Sequence, residues 1–310
     1  MTKTVLAIVE FERFPLEVAT RAARIAKIYG CDLKLVLSDP TISFLRSSFM
    51  ISADSKQIAD NVQFAQKEEI KRLVDNVAEF GVDVSTQVIQ DRPAADSIVA
   101  LALEIEPFVV VMGTTYHSPA ERATFTFNDW QLIRKLDRPL WLVKKRDWNE
   151  KPVVVAAIDP MHPDDEEDAL TQAIVSSARS IAARADGTLS LLHTYEVLEE
   201  VSSWTKFAVK PLKVPVEELQ AQMQAEHRRH LDAVAAKHEI DTDNIHMLPG
   251  RTREILPAFA REQNADLVVM GAVARSGLKR RVIGSTAEPV SYTHLRAHET
   301  TSLISYAVFC

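Results

Sequence analysis

Residues 266–289 read DLVVMGAVARSGLKRRVIGSTAEP. The apolar run Leu267 to Met270 stops at Gly271. The spacing Gly271-x2-Ala274-x9-Gly284-Ser285-Thr286 follows, with Arg275, Lys279, Arg280 and Arg281 inside it. A short, unbroken apolar run is how a parallel strand covered on both faces reads. Small residues after it let backbone approach a ligand, and a Ser/Thr-started helix offers N–H groups that attract anions. The stretch therefore predicts a parallel α/β sheet whose last strand empties into a phosphate-type loop. Against this stands an ordinary connection in which the glycines only permit the turn and the four basic side chains are solvated.

The strand-then-glycine unit occurs once before, at Val109-Val110-Val111-Met112-Gly113, with an offset of 158. Val5 to Glu10 likewise matches Val154 to Asp159. Strands are expected at Val5–Val9, Leu33–Leu37, Val84–Ile89, Phe108–Met112 and Leu140–Val143, then at Val153–Ile158, Leu189–His193, Asn244–Met247 and Leu267–Met270. Helices are expected between them: Pro15–Tyr29, one ending at Phe80, Ala94–Ile105, one around Trp130–Lys135, Asp165–Ala185, Val216–His238 and Thr252–Gln263. Ile70, Leu73, Val74 and Val77 lie on one helical face, with Gly81 as the stop. Alternation of β and α at this pitch implies doubly wound sheets with any ligand near the carboxyl ends of the strands. The chain thus reads as a tandem duplication, with domains at 1–146 and 151–290 joined through the charged stretch Lys144–Lys151.

A length of 310 residues suits two domains, and 46% apolar content supplies ordinary cores. A net charge of −7 argues against a general nucleic-acid binder. No run approaches the roughly 20 apolar residues of a membrane span. Two cysteines, Cys31 and Cys310, without metal-ligand spacing, predict a thiol-reduced, cytoplasmic protein without disulfides.

The strand ending Ala157-Ile158-Asp159-Pro160, the strand end Leu192-His193 and the ADLVVMG-x2-A-x9-GST sequence together resemble the universal stress protein family, in its tandem-domain form. The helix containing Asp129-Trp130 and Leu132 to Lys135, before Pro139 to Lys144, adds to the likeness. The resemblance covers residues 1 to about 290. It implies two Rossmann-like (adenine nucleotide alpha hydrolase-like) domains with parallel five-stranded sheets and a role in stress survival without catalysis. It also implies ATP, with Mg2+, in the second domain. Gly271, Gly284, Ser285 and Thr286 would contact phosphates, Asp159 the ribose or metal, and backbone around Thr194 the adenine. Ala274 stands where the family has its second glycine; if that position needs positive φ, alanine costs about 1–2 kcal/mol. The first domain departs further: Tyr116 stands at the second glycine, Thr126-Phe127 replaces Gly-Ser, and Glu10 replaces the aspartate. That half is expected not to bind ATP.

Other candidates are weaker. Asp159 has a bland alternative as a cap for the next helix. The acidic run Asp164 to Asp168 favours a helix N-terminus, and with His162 it makes only a poor metal site. His227 and His230, one turn apart beside Arg228 and Arg229, are expected to face solvent. No nucleophile–His–acid set is visible, leaving slow ATP hydrolysis at Asp159 as a distant enzymatic reading. The long connections 39–56 and 195–214 carry Phe44, Phe49, Trp204 and Phe207, and they are expected to fold over the sheet or meet the sister domain. The rival function is a nucleotide-independent scaffold holding an apolar ligand or protein partner through them. Expected partners are the two domains themselves and a second copy in a homodimer.

Residues 291–310 change composition abruptly, and SYTHLRAHET resembles translated adapter sequence. The tail is expected to be non-native, leaving the second sheet without its native last strand. Leu303–Phe309 is apolar enough to act as a surrogate strand.

Overall fold

The apolar runs form parallel strands, and each strand divides its side chains between two faces. The computed structural model describes residues 3–48, 53–91, 94–114, 128–161, 165–197, 216–271, 273–274, 282–283 and 305–309. The first half holds β1 (Thr4–Val9), β2 (Asp32–Ser38), β3 (Val84–Ile89), β4 (Val109–Gly113) and β5 (Leu140–Val143). The second holds β6 (Val153–Ala157), β7 (Thr188–Tyr195), β8 (Ile245–Pro249) and β9 (Leu267–Gly271). A short antiparallel pair, β10 (Val273–Ala274) and β11 (Val282–Ile283), follows, and then β12 (Ser305–Phe309).

The sheet order is β3-β2-β1-β4-β5-β12-β9-β6-β7-β8. Within each half the pairings are parallel, whereas β12 runs parallel to β9 and antiparallel to β5. The halves therefore point their strands in opposite directions. Ser305–Phe309 takes the place between them that a fifth strand of the second half would fill, so that half contributes four strands of the expected kind.

Helices cover both faces. One face carries α1 (Pro15–Tyr29), α3 (Ala53–Val77), α6 (Asp165–Arg184) and α7 (Val216–Lys237); the other carries α4 (Ala94–Ile105), α5 (Asn128–Lys135) and α8 (Thr252–Glu262). Val5, Ala7 and Val9 join the first core, and Leu6 and Ile8 the second, as a period of two dictates. Each core continues across both halves, and each fully buried Leu or Ile stabilises by about 1.5–3 kcal/mol. Gly30 and Gly81 end their helices in left-handed backbone, at φ 62° and 65°, where an L side chain is strained.

The connection after β2 has structure of its own. It is helical, with α2 at Thr41–Ser48 and α3 beginning at Ala53. Asp39 organises it. Its carboxylate accepts from Thr41 N at 3.0 Å, from Thr41 Oγ1 at 2.5 Å and from Gln66 Nε2 of α3 at 2.9 Å. Ile42 turns inward at 1% exposed. Of the second connection, residues 198–214 lie outside the described residues.

The charged stretch between the halves is clamped from both sides. Arg24 of α1 donates to the carbonyls of Trp148, Asn149 and Glu150 at 3.1, 2.8 and 2.8 Å, and Arg21 to that of Arg146 at 2.9 Å. Opposite them the buried carboxylate of Asp266 accepts from Val153 N at 2.9 Å and from Asn149 Nδ2 at 3.0 and 3.1 Å. Tyr29 Oη and Ser180 Oγ, 3.1 Å apart, join α1 to α6.

Candidate functional site

In an open α/β sheet the crevice lies where two neighbouring strands send their connections to opposite sides. In the second half that point is between β6 and β9. Ala157 pairs with Met270 on one side and with Leu192 on the other. This register brings Asp159, Thr194 and Gly271 to one carboxyl edge, each just past its paired residue.

Asp159 is exposed and bends the chain locally: its Oδ1 accepts from Met161 N at 3.2 Å. Thr194 Oγ1 lies 2.5 Å from Thr252 Oγ1 at the start of α8, tying the end of β7 to a helix N-terminus. At Gly271 an added Cβ would stand 3.1 Å from Leu170 Cδ2, the end of a side chain that can move.

Ala274 does not sit in a positive-φ loop. It pairs with Val282 in the antiparallel β10–β11 ladder, extended backbone that alanine adopts freely. The connection after Gly271 therefore closes on itself as a small hairpin, which its spacing did not suggest. Gly284, Ser285, Thr286, Arg275, Lys279, Arg280 and Arg281 lie outside the described residues, as do His162 and Asp164.

The expectation that His227 faces solvent is corrected. His193, 2% exposed, uses Nδ1 on the Ile158 carbonyl at 3.1 Å and Nε2 on His227 Nδ1 at 2.7 Å, the rings stacking at 5.0 Å. With Nδ1–H donated to a carbonyl, neutral His193 offers a lone pair at Nε2, and His227 Nδ1–H donates to it. Burial lowers the pKa of both rings, the neighbouring imidazole adding to the effect at His193, while Asp159, 4.0 Å from His193 Nδ1, opposes it. Tyr195 lies 5.7 Å from the His227 ring. A histidine at a strand end facing one on the following helix was the available signal, but α7 gave no register to phase it. His230 pairs instead with Glu226 at 3.1 Å on the outer face.

The corresponding edge of the first half is built differently. Tyr116 and Thr126-Phe127 lie outside the described residues. At the end of β4 the β1–α1 connection folds onto Gly113, where an added Cβ would stand only 2.1 Å from the Arg13 carbonyl oxygen. Glu10 and Arg13 form an ion pair at 3.0 Å inside this turn, and Phe14 takes φ 54° to enter α1. The switch point between β1 and β4 is thus packed with the chain's own backbone.

The universal stress protein family model matches residues 1–144 and again 152–292. This chain belongs to the universal stress protein family. Among its relatives, the universal stress protein E homolog of Haemophilus influenzae is 25% identical over 82% of this chain and 81% of its own length. Universal stress protein E of Salmonella typhi is 22% identical over 96% of this chain and 92% of its own. The solved universal stress protein of Archaeoglobus fulgidus superposes with a TM-score of 0.66 at 13% identity, over 99% of this chain and 95% of that one, which shows the shared fold. The tandem of α/β halves is therefore a family architecture.

Among the described residues no group of three or more His, Cys, Asp or Glu could hold a metal ion, and no helix is long and apolar enough to cross a membrane.

Proposed function

We propose that the chain is a ligand-responsive, non-catalytic stress-response protein of the universal stress protein E type, which binds one adenine nucleotide in its second half. The observation that supports this reading is the convergence of Asp159, Thr194 and Gly271 at the β6–β9 switch point, while the β1–β4 switch point is filled by Arg13. The described part of the edge fits a nucleotide. Gly271 packs its Cα against Leu170 of α6 at this edge, and Asp159 presents an exposed carboxylate suited to ribose hydroxyls or, when ATP arrives with Mg2+, to the metal. Thr194 would border the adenine, and Ala274, Gly284, Ser285 and Thr286 would close on the phosphates. His193 then acts as a strut. By holding the Ile158 carbonyl it fixes the backbone that carries Asp159.

In this reading the first half is a structural partner, the domains divide within 147–150, and the protein works in the cytoplasm, alone or as a homodimer. In the same reading nucleotide occupancy signals rather than turns over, and the imidazole 4.0 Å from Asp159, that of His193, has both nitrogens engaged, by the Ile158 carbonyl and by His227. Calorimetry with Mg-ATP on the wild-type chain and on Gly284→Trp tests this. Saturable binding that the tryptophan abolishes is expected; wild type that does not bind at all would turn the account toward a nucleotide-independent scaffold for an apolar ligand or partner.

A further inference from the structure

From the edge that carries Asp159, a chain of polar contacts runs inward through the second half and out again to a helix. It starts at the carbonyl of Ile158, the residue before Asp159. His193 Nδ1 lies 3.1 Å from that oxygen, and His193 Nε2 lies 2.7 Å from His227 Nδ1. Ile158 follows β6, His193 sits on β7 and His227 on α7, so the chain ties three elements together.

The chemistry of the groups sets its direction. A carbonyl oxygen only accepts, so His193 Nδ1 carries the proton and donates. The neutral ring keeps a lone pair at Nε2, and His227 Nδ1–H donates to it. At 2% exposed, His193 is sealed from bulk solvent, and its burial favours the neutral ring. A buried acceptor stripped of its donor carries its desolvation cost unrelieved, which favours rotation of the ring away from the Ile158 carbonyl.

The His227 ring lies nearly parallel to that of His193, at 19° between planes, with the Tyr195 ring 5.7 Å away, so this position of α7 faces the sheet. On the outer face of the same helix, Glu226 accepts from Arg229 and pairs with His230.

We propose that His227 is a positioning residue for the nucleotide edge: its Nδ1–H locks the His193 ring, the locked ring holds the Ile158 carbonyl, and the held peptide fixes the direction of the Asp159 carboxylate. This rests on the nucleotide reading above and adds to it a route from the site to α7. Linkage makes the route reciprocal: if a docked α7 aligns Asp159, a bound nucleotide keeps α7 docked. Occupancy is thereby transmitted to the outer surface of the second half, where α7 carries Glu226, Arg229 and His230.

Calorimetry with Mg-ATP on the full chain compares the wild type with two variants. His227→Leu keeps bulk without the donor, and His227→Asn places an amide N–H where Nδ1–H stood. His227→Leu should bind about three- to tenfold more weakly, the net contribution of one hydrogen bond, and His227→Asn should recover most of that loss. A packing role alone predicts the reverse order, leucine like wild type and asparagine weaker, and that order overturns the proposal. In an Asp159→Ala background the His227→Leu effect should vanish; a full further loss there would show that His227 does not act through Asp159 and would overturn it too. Hydrogen exchange supplies a readout without nucleotide. The amides of Ile158, donated to the Leu192 carbonyl, and of Met161, donated to Asp159, should exchange faster in His227→Leu than in wild type or His227→Asn. Equal exchange in all three overturns the positioning role. Wild type that binds no Mg-ATP would overturn the nucleotide reading and this proposal together, whereas equal binding by wild type and His227→Leu would overturn this proposal alone.

Discussion

Replacing Asp266 by alanine should loosen the junction between the halves more than any exposed substitution. The carboxylate side chain is wholly buried and accepts from Val153 N at 2.9 Å and from Asn149 Nδ2 at 3.0 and 3.1 Å, with Arg146 Nη2 at 4.0 Å. Hydrogen bonds to a charged acceptor contribute about 1.5–3 kcal/mol each, and a backbone N–H deprived of its partner adds to the loss. The two groups are neighbours and their losses overlap, so Asp266→Ala should cost about 3 kcal/mol rather than the full sum. At about 2–4 °C per kcal/mol for a chain of this size class, the melting midpoint should fall by about 6–12 °C. Asp266→Asn keeps one acceptor oxygen and should lose about half as much. Urea and thermal unfolding of wild type, Asp266→Ala, Asp266→Asn and Asn149→Ala measure these values, and the cycle with Asn149 should show about 1 kcal/mol of coupling. A loss below about 0.5 kcal/mol for Asp266→Ala, the range of an ordinary surface change, would refute the clamp.

The two strand-end glycines should respond differently to alanine. Gly113→Ala drives a Cβ to 2.1 Å from the Arg13 backbone oxygen and should cost about 2–3 kcal/mol, whereas Gly271→Ala meets only the tip of Leu170 and should cost under about 1 kcal/mol, both read by thermal melts. The His193–His227 pair should make stability fall with acid. Both folded-state pKa values lie below the ordinary value of 6.5, so the contribution is full above that value and is lost as pH falls through the lowered ones. Unfolding midpoints taken from about pH 8 to about pH 5 should show this slope in wild type and a shallower one in His227→Gln; identical slopes would show that the pair does not carry it.

The fold was legible because its signals are local. Val109–Gly113 and Leu267–Gly271 are unbroken apolar runs ended by glycine, and α1 is framed by Pro15 and Gly30. What was missed depends on distance in sequence. Asp39 docks α3 through Gln66, 27 residues away, a contact that no local pattern announces. Asp266 and Asn149 are 117 residues apart, and no spacing rule joins them. At the site, Asp159, Thr194 and Gly271 follow from the strand pattern, whereas the His193–His227 contact needs the azimuth of α7 on the sheet. The hairpin pairing of Ala274 with Val282 escaped because two-residue strands leave no periodicity to read. Arg13, the residue that packs the first half's crevice, lies in a turn whose direction depends on the positive φ of Phe14.

The proposed function gives the protein one nucleotide-binding half and one structural half. The stoichiometry of Mg-ATP binding to the full chain tests this division. One nucleotide per chain, reduced to none by Gly284→Trp, is the predicted result. Two per chain, or one that survives Gly284→Trp, would place a nucleotide in the half that Arg13 is held to close and would contradict the account.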